Sequence, residues 1–267
     1  MQECDIISSV QNPKIKRLLL LQQKSSERQK YNVFVVEGER ELRRCVQSGY
    51  EVDCVFFCRD IISEEMKIFL SHIGEMALHE VTKQVYEKIA YRGGREGVIA
   101  EVKTRHQTLD SLKLSEHPLI IVLESVEKPG NLGAVLRSAD ASGADAMIVC
   151  DPLTDLYNPN LIRSSVGGIF SVQCVACSSE ECISFLKSRQ IQILTAQLQD
   201  SELYYNIDMS GATAIVMGTE STGLTQIWRD AADAHIRIPM LGQMDSLNVS
   251  VSASILLYEA VRQRRQG

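Results

Sequence analysis

Leu119-Ile120-Ile121-Val122-Leu123 is an unbroken run of large apolar side chains, followed after a few residues by Lys128-Pro129-Gly130-Asn131-Leu132-Gly133-Ala134-Val135-Leu136-Arg137. A strand that is apolar at every position, rather than every second one, is buried on both faces, as in a parallel sheet covered by helices. Pro129 and Gly130 predict a turn, Asn131 a helix N-cap and residues 132–142 a helix. The alternation continues downstream. Strands are expected at 146–150, 170–175, 191–195, 213–217 and 234–238, with helices at 161–165, 179–188 and 224–231 and a closing helix over about 249–264. That pattern describes an open α/β sheet, with its ligand site at the carboxyl ends of the strands.

Upstream, shorter strands are expected at 33–36, 52–57, 76–79 and 97–102, with helices at 37–48, 63–71 and 82–90 between them. They form a second, smaller α/β layer. The polar, aperiodic stretch from Thr104 to His117 separates the two, so the expected organisation is a domain over 1–106, a linker over 107–117 and a domain over 118–267. A chain of 267 residues with 45% hydrophobic and 23% charged residues has no disorder signature. No apolar run approaches the roughly 18 residues of a membrane span. The start Met1-Gln2-Glu3-Cys4-Asp5 is acidic and leads into no apolar signal segment, so a cytoplasmic protein is expected.

The eight cysteines, at 4, 45, 54, 58, 150, 174, 177 and 182, are scattered too widely for a disulfide scaffold. Cys174 and Cys177 form a C-x-x-C with Cys182 five residues on, but a zinc site would want a second ligand pair and none is present. Cysteine in a strand packs as a small apolar side chain. Reduced structural thiols and no metal are therefore expected.

The net charge is −6, and it is uneven: residues 1–110 hold 17 basic and 17 acidic side chains, whereas 111–267 hold 11 and 17. Between Asn12 and Lys30, six basic residues face only Glu27, a local +5. Ile15, Leu18, Leu19 and Leu21 give that segment an apolar stripe, so on charge alone it reads as a solvated helix face. A phosphate-contacting patch is the alternative. Arg92-Gly93-Gly94-Arg95 reads as a solvated loop, with an RNA-contacting turn as its alternative.

Three places carry chemistry. Arg137 lies among Ala134, Val135, Leu136 and Ala139, so it is expected either in a salt bridge or aimed at an anion. Gly218-Thr219-Glu220-Ser221-Thr222-Gly223-Leu224-Thr225 imitates a phosphate-binding loop but has Leu224 where the lysine belongs. Its glycines allow a backbone to approach a flat ligand, while Glu220 would repel a triphosphate and could accept hydrogen bonds or neutralise a cation. No G-x-G-x-x-G follows a strand, so a dinucleotide site is unsupported. Third, Ile238-Pro239-Met240-Leu241-Gly242-Gln243-Met244-Asp245-Ser246-Leu247-Asn248-Val249-Ser250-Val251 is an irregular loop in which Ser246 or Asn248 can cap the closing helix.

Together these segments resemble the three motifs of the SpoU/TrmH (SPOUT) family of RNA ribose 2′-O-methyltransferases: N-x-x-x-x-x-R at Asn131–Arg137, G-x-E-x-x-G-L at Gly218–Leu224, and I-P-M-x-G-x-x-x-S-L-N-V-S-V at Ile238–Val251. The resemblance covers about residues 118–265. Asn12-Pro13-Lys14-Ile15-Lys16 and Val36-Glu37-Gly38 look, more loosely, like the L30e-like extension of rRNA-directed members. The resemblance implies an amino-terminal L30e-like domain and a SPOUT trefoil-knot methyltransferase domain. It also implies S-adenosylmethionine as cofactor and a homodimer building its site across the interface with the closing helix. Carried over, it implies cofactor contacts at Thr195, Gly218, Ile238 and Leu247, catalytic positions at Arg137, Glu220, Ser246 and Asn248, and RNA contacts at Asn131, Lys14, Lys16 and Arg17. Lys128 departs from the acidic residue many members carry before the proline. Large-subunit rRNA is the implied substrate, with tRNA methylation or a non-catalytic RNA-binding factor as alternatives.

Overall fold

The computed structural model describes residues 6–73, 76–91, 93 and 95–266. The acidic start with Cys4, and Arg92 and Gly94 of the 92–95 loop, lie outside the described residues. The chain divides into two compact units, one holding the chain up to Arg105 together with Tyr157–Phe170, the other His106–Leu156 and the chain from Ser171 onward.

The first unit runs α1 (Pro13–Gln23), α2 (Ser25–Tyr31), β1 (Val33–Glu37), α3 (Glu39–Gln47), β2 (Val52–Phe57), α4 (Glu64–His72), β3 (Ala77–Glu80), α5 (Lys83–Ile89) and β4 (Val98–Lys103). Its sheet has the order β1-β4-β2-β3, with β4 antiparallel to both neighbours and β2 parallel to β3. Pro13 opens α1 behind Asn12, whose Oδ1 accepts from Lys14 N at 2.9 Å. The apolar stripe Ile15, Leu18 and Leu21 is wholly buried against the sheet, leaving the basic residues on the other face. Glu37, expected to begin a helix, ends β1 instead.

The second unit runs β5 (Leu119–Glu124), α6 (Pro129–Ser142) and β6 (Ala146–Cys150). After β6 the chain forms α7 (Pro159–Ser165) and α8 (Gly168–Ser171), which but for Ser171 lie in the segment 157–170 that belongs to the first unit. The second unit then continues with β7 (Gln173–Cys177), α9 (Ser179–Ser188), β8 (Gln192–Ala196), β9 (Glu202–Leu203), β10 (Thr213–Met217), α10 (Gln226–Ala231), β11 (Ala234–Arg237) and α11 (Val249–Gln266). The seven strands are all parallel, in the order β7-β6-β5-β10-β8-β11-β9. Alternate residues of β5 face opposite sides: Ile120 and Val122 pack with Trp228, Leu186 and Phe185 under α9 and α10, while α6 and α11 cover the other face.

Two expectations need correcting. Residues 107–117, read as a linker, are strapped onto the second unit. Leu112 is 5% exposed in its core, Gln107 Oε1 accepts from Cys174 N at 2.9 Å, and Lys113 exchanges two hydrogen bonds with the Gln173 side chain. The polar composition that suggested a linker supplies those edge hydrogen bonds. The strand expected over 170–175 begins only at Gln173, because Phe170 joins an aromatic group of the first unit, 5.3 Å from Tyr50, where Tyr157 also stacks on Phe34 at 4.2 Å. The segment 157–170, including α7, thus belongs to the first unit although it is flanked by strands of the second.

Candidate active site

A cleft of about 330 Å³ opens at the carboxyl ends of β8, β10 and β11. Three stretches wall it: Ala196–Gln199 after β8, Met217–Leu224 after β10, and Arg237 to Leu247 after β11. This is the edge at which open parallel sheets bind ligands, beside the point where the chain, having built β5-β6-β7 outward, crosses back to β8 and later inserts β10 between β8 and β5.

The loop after β10 is a tight backbone loop. Thr219 N donates to Gly223 O (3.3 Å) and Gly223 N to Thr219 O (3.1 Å), while Thr219 Oγ1 accepts from Thr222 N (3.0 Å). A Cβ on Gly218 would lie 2.2 Å from Gly223 O and 2.6 Å from Leu224 N, so only glycine fits where the two backbones touch. Gly223 takes φ +68°, which a side chain would strain.

Glu220 sits at the tip of this loop as an acceptor hub. Its Oε1 accepts from Asn248 Nδ2 (2.8 Å) and Asn131 Nδ2 (3.2 Å), and Lys128 Nζ lies 3.5 Å from Oε2. The Val249 backbone N–H, helped by Lys128 and Asn131, holds its carboxyl below the ordinary glutamate value. Asn248 in turn donates to Asn131 Oδ1 (3.2 Å) and caps α11 by accepting from Ser250 N (3.0 Å) and Ser250 Oγ (2.6 Å). One polar cluster therefore ties the start of α6, the loop after β10 and the start of α11 together. Lys128, the residue that departs from the motif, finds its partner here.

Of the sequence-predicted residues, Asn131, Glu220 and Asn248 meet in this cluster, and Gly218, Glu220, Ile238, Ser246 and Leu247 line the cleft. Asn131 is not the N-cap: α6 starts at Pro129 behind Lys128, which frees the Asn131 side chain for the site. Thr195 does not line the cleft. Its side chain is fully buried and its Oγ1 lies 2.6 Å from His235 Nδ1, because the strand turns toward the cleft one residue later, at Ala196. Arg137 is not buried and has no ion-pair partner among the described residues; it stands exposed on α6 and outside the cleft lining. Ser246 Oγ donates to Asp245 Oδ1 (3.3 Å). On α1, Lys16 is exposed and Lys14 Nζ touches His79 Nδ1 at 3.4 Å. Arg17 is spent on carboxylates instead, 3.3 Å from Asp53 and 3.1 Å from Glu101.

Several supporting residues carried no sequence signal. Buried Glu124, at the end of β5, accepts from Thr225 N (2.8 Å) and Thr225 Oγ1 (2.5 Å) and so anchors the far side of the loop. Ser179 Oγ donates to Asp151 Oδ2 (2.6 Å) and accepts from the fully buried Trp228 Nε1 (2.9 Å). Arg229 lines the cleft with its Nε buried and unpartnered.

Residues 118–258 match the model of the SpoU rRNA methylase family. The chain belongs to the SpoU rRNA methylase family. Residues 12–100 of this SpoU methylase also match the MRM3-like substrate binding domain. A relative, the 23S rRNA (guanosine(2553)-2′-O)-methyltransferase RlmP of Bacillus subtilis (strain 168), is 27% identical over 94% of this chain and 97% of its own. The 23S rRNA (uridine(2479)-2′-O)-methyltransferase of Streptomyces viridochromogenes is 34% identical over 177 residues, and this chain spans 61% of that relative's length. Among solved structures, the SpoU methyltransferase AviRb from Streptomyces viridochromogenes in complex with AdoMet superposes with a TM-score of 0.90 at 27% identity, over 96% of this chain and 99% of that one.

Proposed function

We propose that this chain transfers a methyl group from S-adenosylmethionine to a ribose 2′-hydroxyl of 23S rRNA. The observation that carries the reading is the convergence of three separate segments, through Asn131, Glu220 and Asn248, on one glycine-floored cleft. The cleft fits the cofactor: about 330 Å³ is in the range of small-molecule sites, Gly218 lets the two arms of the lining loop close on each other, and the unpartnered Nε of Arg229 offers a donor for an acidic group. When bound, the cofactor supplies a methyl group already activated on a positively charged sulfur.

The chain's own task is alignment and stabilisation of charge. The Gly218–Leu224 loop, Ile238 and Leu247 hold the cofactor, while Ser246 and Asn248 orient the ribose. Arg137 holds the neighbouring phosphate and the developing 2′-oxyanion. A guanidinium barely deprotonates in proteins, so it is not the general base. Since Arg137 is exposed and away from its own cleft, this role goes with a homodimer in which α6 and α11 bring it to the second protomer's site. Val251 (47% exposed) and Tyr258 (51%) are the apolar groups α11 leaves for such a contact. The same reading includes a trefoil knot in the second unit, a cytoplasmic location, and rRNA docking through Lys14 and Lys16 of α1.

The test is transfer of labelled methyl from S-adenosylmethionine to separated 23S rRNA, assembled subunits and tRNA, with Arg137→Ala and Arg137→Lys alongside. Ribose label on 23S rRNA or the large subunit, lost in Arg137→Ala, is expected. Label on tRNA alone refutes the substrate, and near-full turnover by Arg137→Lys with a normal pH profile refutes the role of the planar guanidinium.

A further inference from the structure

The fold gathers three thiols that the sequence disperses. Cys150 ends β6, Cys177 ends β7, and the two are register partners on neighbouring parallel strands, so their side chains share a face. Cys182 lies on α9, which packs over that same face. Their three Sγ atoms all lie within 4.8 Å of one another. Cys174, the other half of the C-x-x-C, is three residues back along β7 and therefore on the opposite side of the strand, outside the group. We propose that Cys150, Cys177 and Cys182 are three thiolate ligands of a zinc site in the second unit, distinct from the cofactor cleft.

Geometry, charge and access support it. Zinc–sulfur bonds of about 2.3 Å in a tetrahedron set the sulfurs roughly 3.8 Å apart, so the thiols need close by no more than about 1 Å. Cys150 and Cys182 are fully buried, whereas Cys177 is half-buried and faces a groove of about 670 Å³ beside Thr108, Asp110, Glu180 and Glu181. An ion can enter by that groove, and a water from it can fill the fourth position. Three thiolates and Zn²⁺ leave one net negative charge at the amino end of α9, where the helix dipole opposes the repulsion of Glu180 and Glu181. Binding breaks three S–H bonds, forms three Zn–S bonds and releases three protons to solvent, with no change of oxidation state. A disulfide would use two of the sulfurs and strand the third; a metal uses all three. The site would pin β6, β7 and α9 together on either side of Ser179, the residue that holds Asp151 and Trp228.

The experiment is titration of the reduced, chelator-stripped full-length protein with Co²⁺, followed by displacement with Zn²⁺. One equivalent of Co²⁺ with a thiolate-to-cobalt charge-transfer band, lost on adding Zn²⁺, is expected. Cys177→Ser, the half-buried position, should weaken binding at least tenfold, and Cys174→Ser should leave it unchanged. Bound Zn²⁺ should also shield Cys150, Cys177 and Cys182 of the unaltered protein from alkylation, mapped by mass spectrometry; this readout does not depend on a variant folding. Absence of the band in folded protein overturns the proposal. So does Cys177→Ser binding as tightly as the parent, shielding of other thiols, or loss of two hydrogens by mass as a disulfide in place of metal uptake.

Discussion

Replacing Gly218 by alanine tests whether the loop after β10 is the cofactor floor. The new Cβ would stand 2.2 Å from Gly223 O, 2.3 Å from Gly223 C and 2.6 Å from Leu224 N, all backbone atoms with no rotamer to yield. To reach the 3.0 Å that real Cβ contacts respect, the two backbone segments must part by roughly 0.8 Å. The paired Thr219–Gly223 hydrogen bonds, already 3.3 and 3.1 Å long, do not survive that displacement. At about 1 kcal/mol for each hydrogen bond, the ligand-ready loop loses about 2 kcal/mol. With tenfold in affinity for every 1.4 kcal/mol, binding should weaken about 30-fold. Isothermal titration with S-adenosylhomocysteine measures this, and thermal denaturation beside it shows whether the loss is local. Gly223→Ala is the contrast: no atom lies within 4 Å of its added Cβ, so only the φ of +68° is strained, at about 1 kcal/mol and roughly fivefold in affinity. Binding by Gly218→Ala within twofold of the parent would refute the reasoning, since the contact it breaks would then not shape the site.

Three further outcomes are expected. Asn248→Ala removes both the bridge from Glu220 to Asn131 and the cap on α11, costing about 1 kcal/mol of stability and most of the turnover; turnover equal to the parent's in a methyl-transfer assay counts against the cluster. Burial raises the Glu101 carboxyl to about 7, against the help of Arg17, so the folded state holds that proton more tightly than the unfolded chain does. Its stabilising contribution is complete below about pH 4.5 and is lost as pH rises through about 7, up to about 3 kcal/mol in all. Glu101→Gln should therefore stabilise at pH 8 and flatten the denaturation profile, and an unchanged slope between pH 5 and 8 sinks the idea. Finally, neutralising Lys14 and Lys16 should lower the salt dependence of RNA binding by roughly one to two counterions, whereas Arg17→Ala should lower stability and leave that slope alone, because its guanidinium is already paired. Equal slopes for the parent and the double variant would remove α1 from the RNA surface.

The residues show where the sequence was informative and where it stopped. Strands such as β5 and β10 were legible because burial on both faces writes itself as an unbroken apolar run. The motif glycine, glutamate and asparagine were legible because each stands at a strand or helix end with more polarity than a turn requires. Asn131 was misplaced by a local rule: Pro129 pulled the helix start back by three residues, so an asparagine suited to capping was released for the site. Arg137 looked enclosed in the sequence because its neighbours are apolar, but helical geometry turns them inward and leaves it outside. Glu124, Ser179, Thr225 and Trp228 were invisible because their contacts join segments far apart in the chain, as with Glu124 and Thr225, and no spacing rule spans that gap. The same holds for Cys150, which no motif links to Cys177 and Cys182.

The central pair of the large sheet has a consequence for synthesis. β5 is held on one side by β10, through the register Leu119–Thr213, so the partner of the first strand emerges about 94 residues after it. At roughly 5–20 residues per second, the ribosome leaves that apolar edge without its neighbour for roughly 5–20 seconds. The loop proposed to hold the cofactor follows β10 directly, so the segment that closes this edge and the proposed binding floor leave the ribosome together. On that reading, free S-adenosylmethionine would act late in translation, as a ligand that rewards only chains whose central strands have found each other.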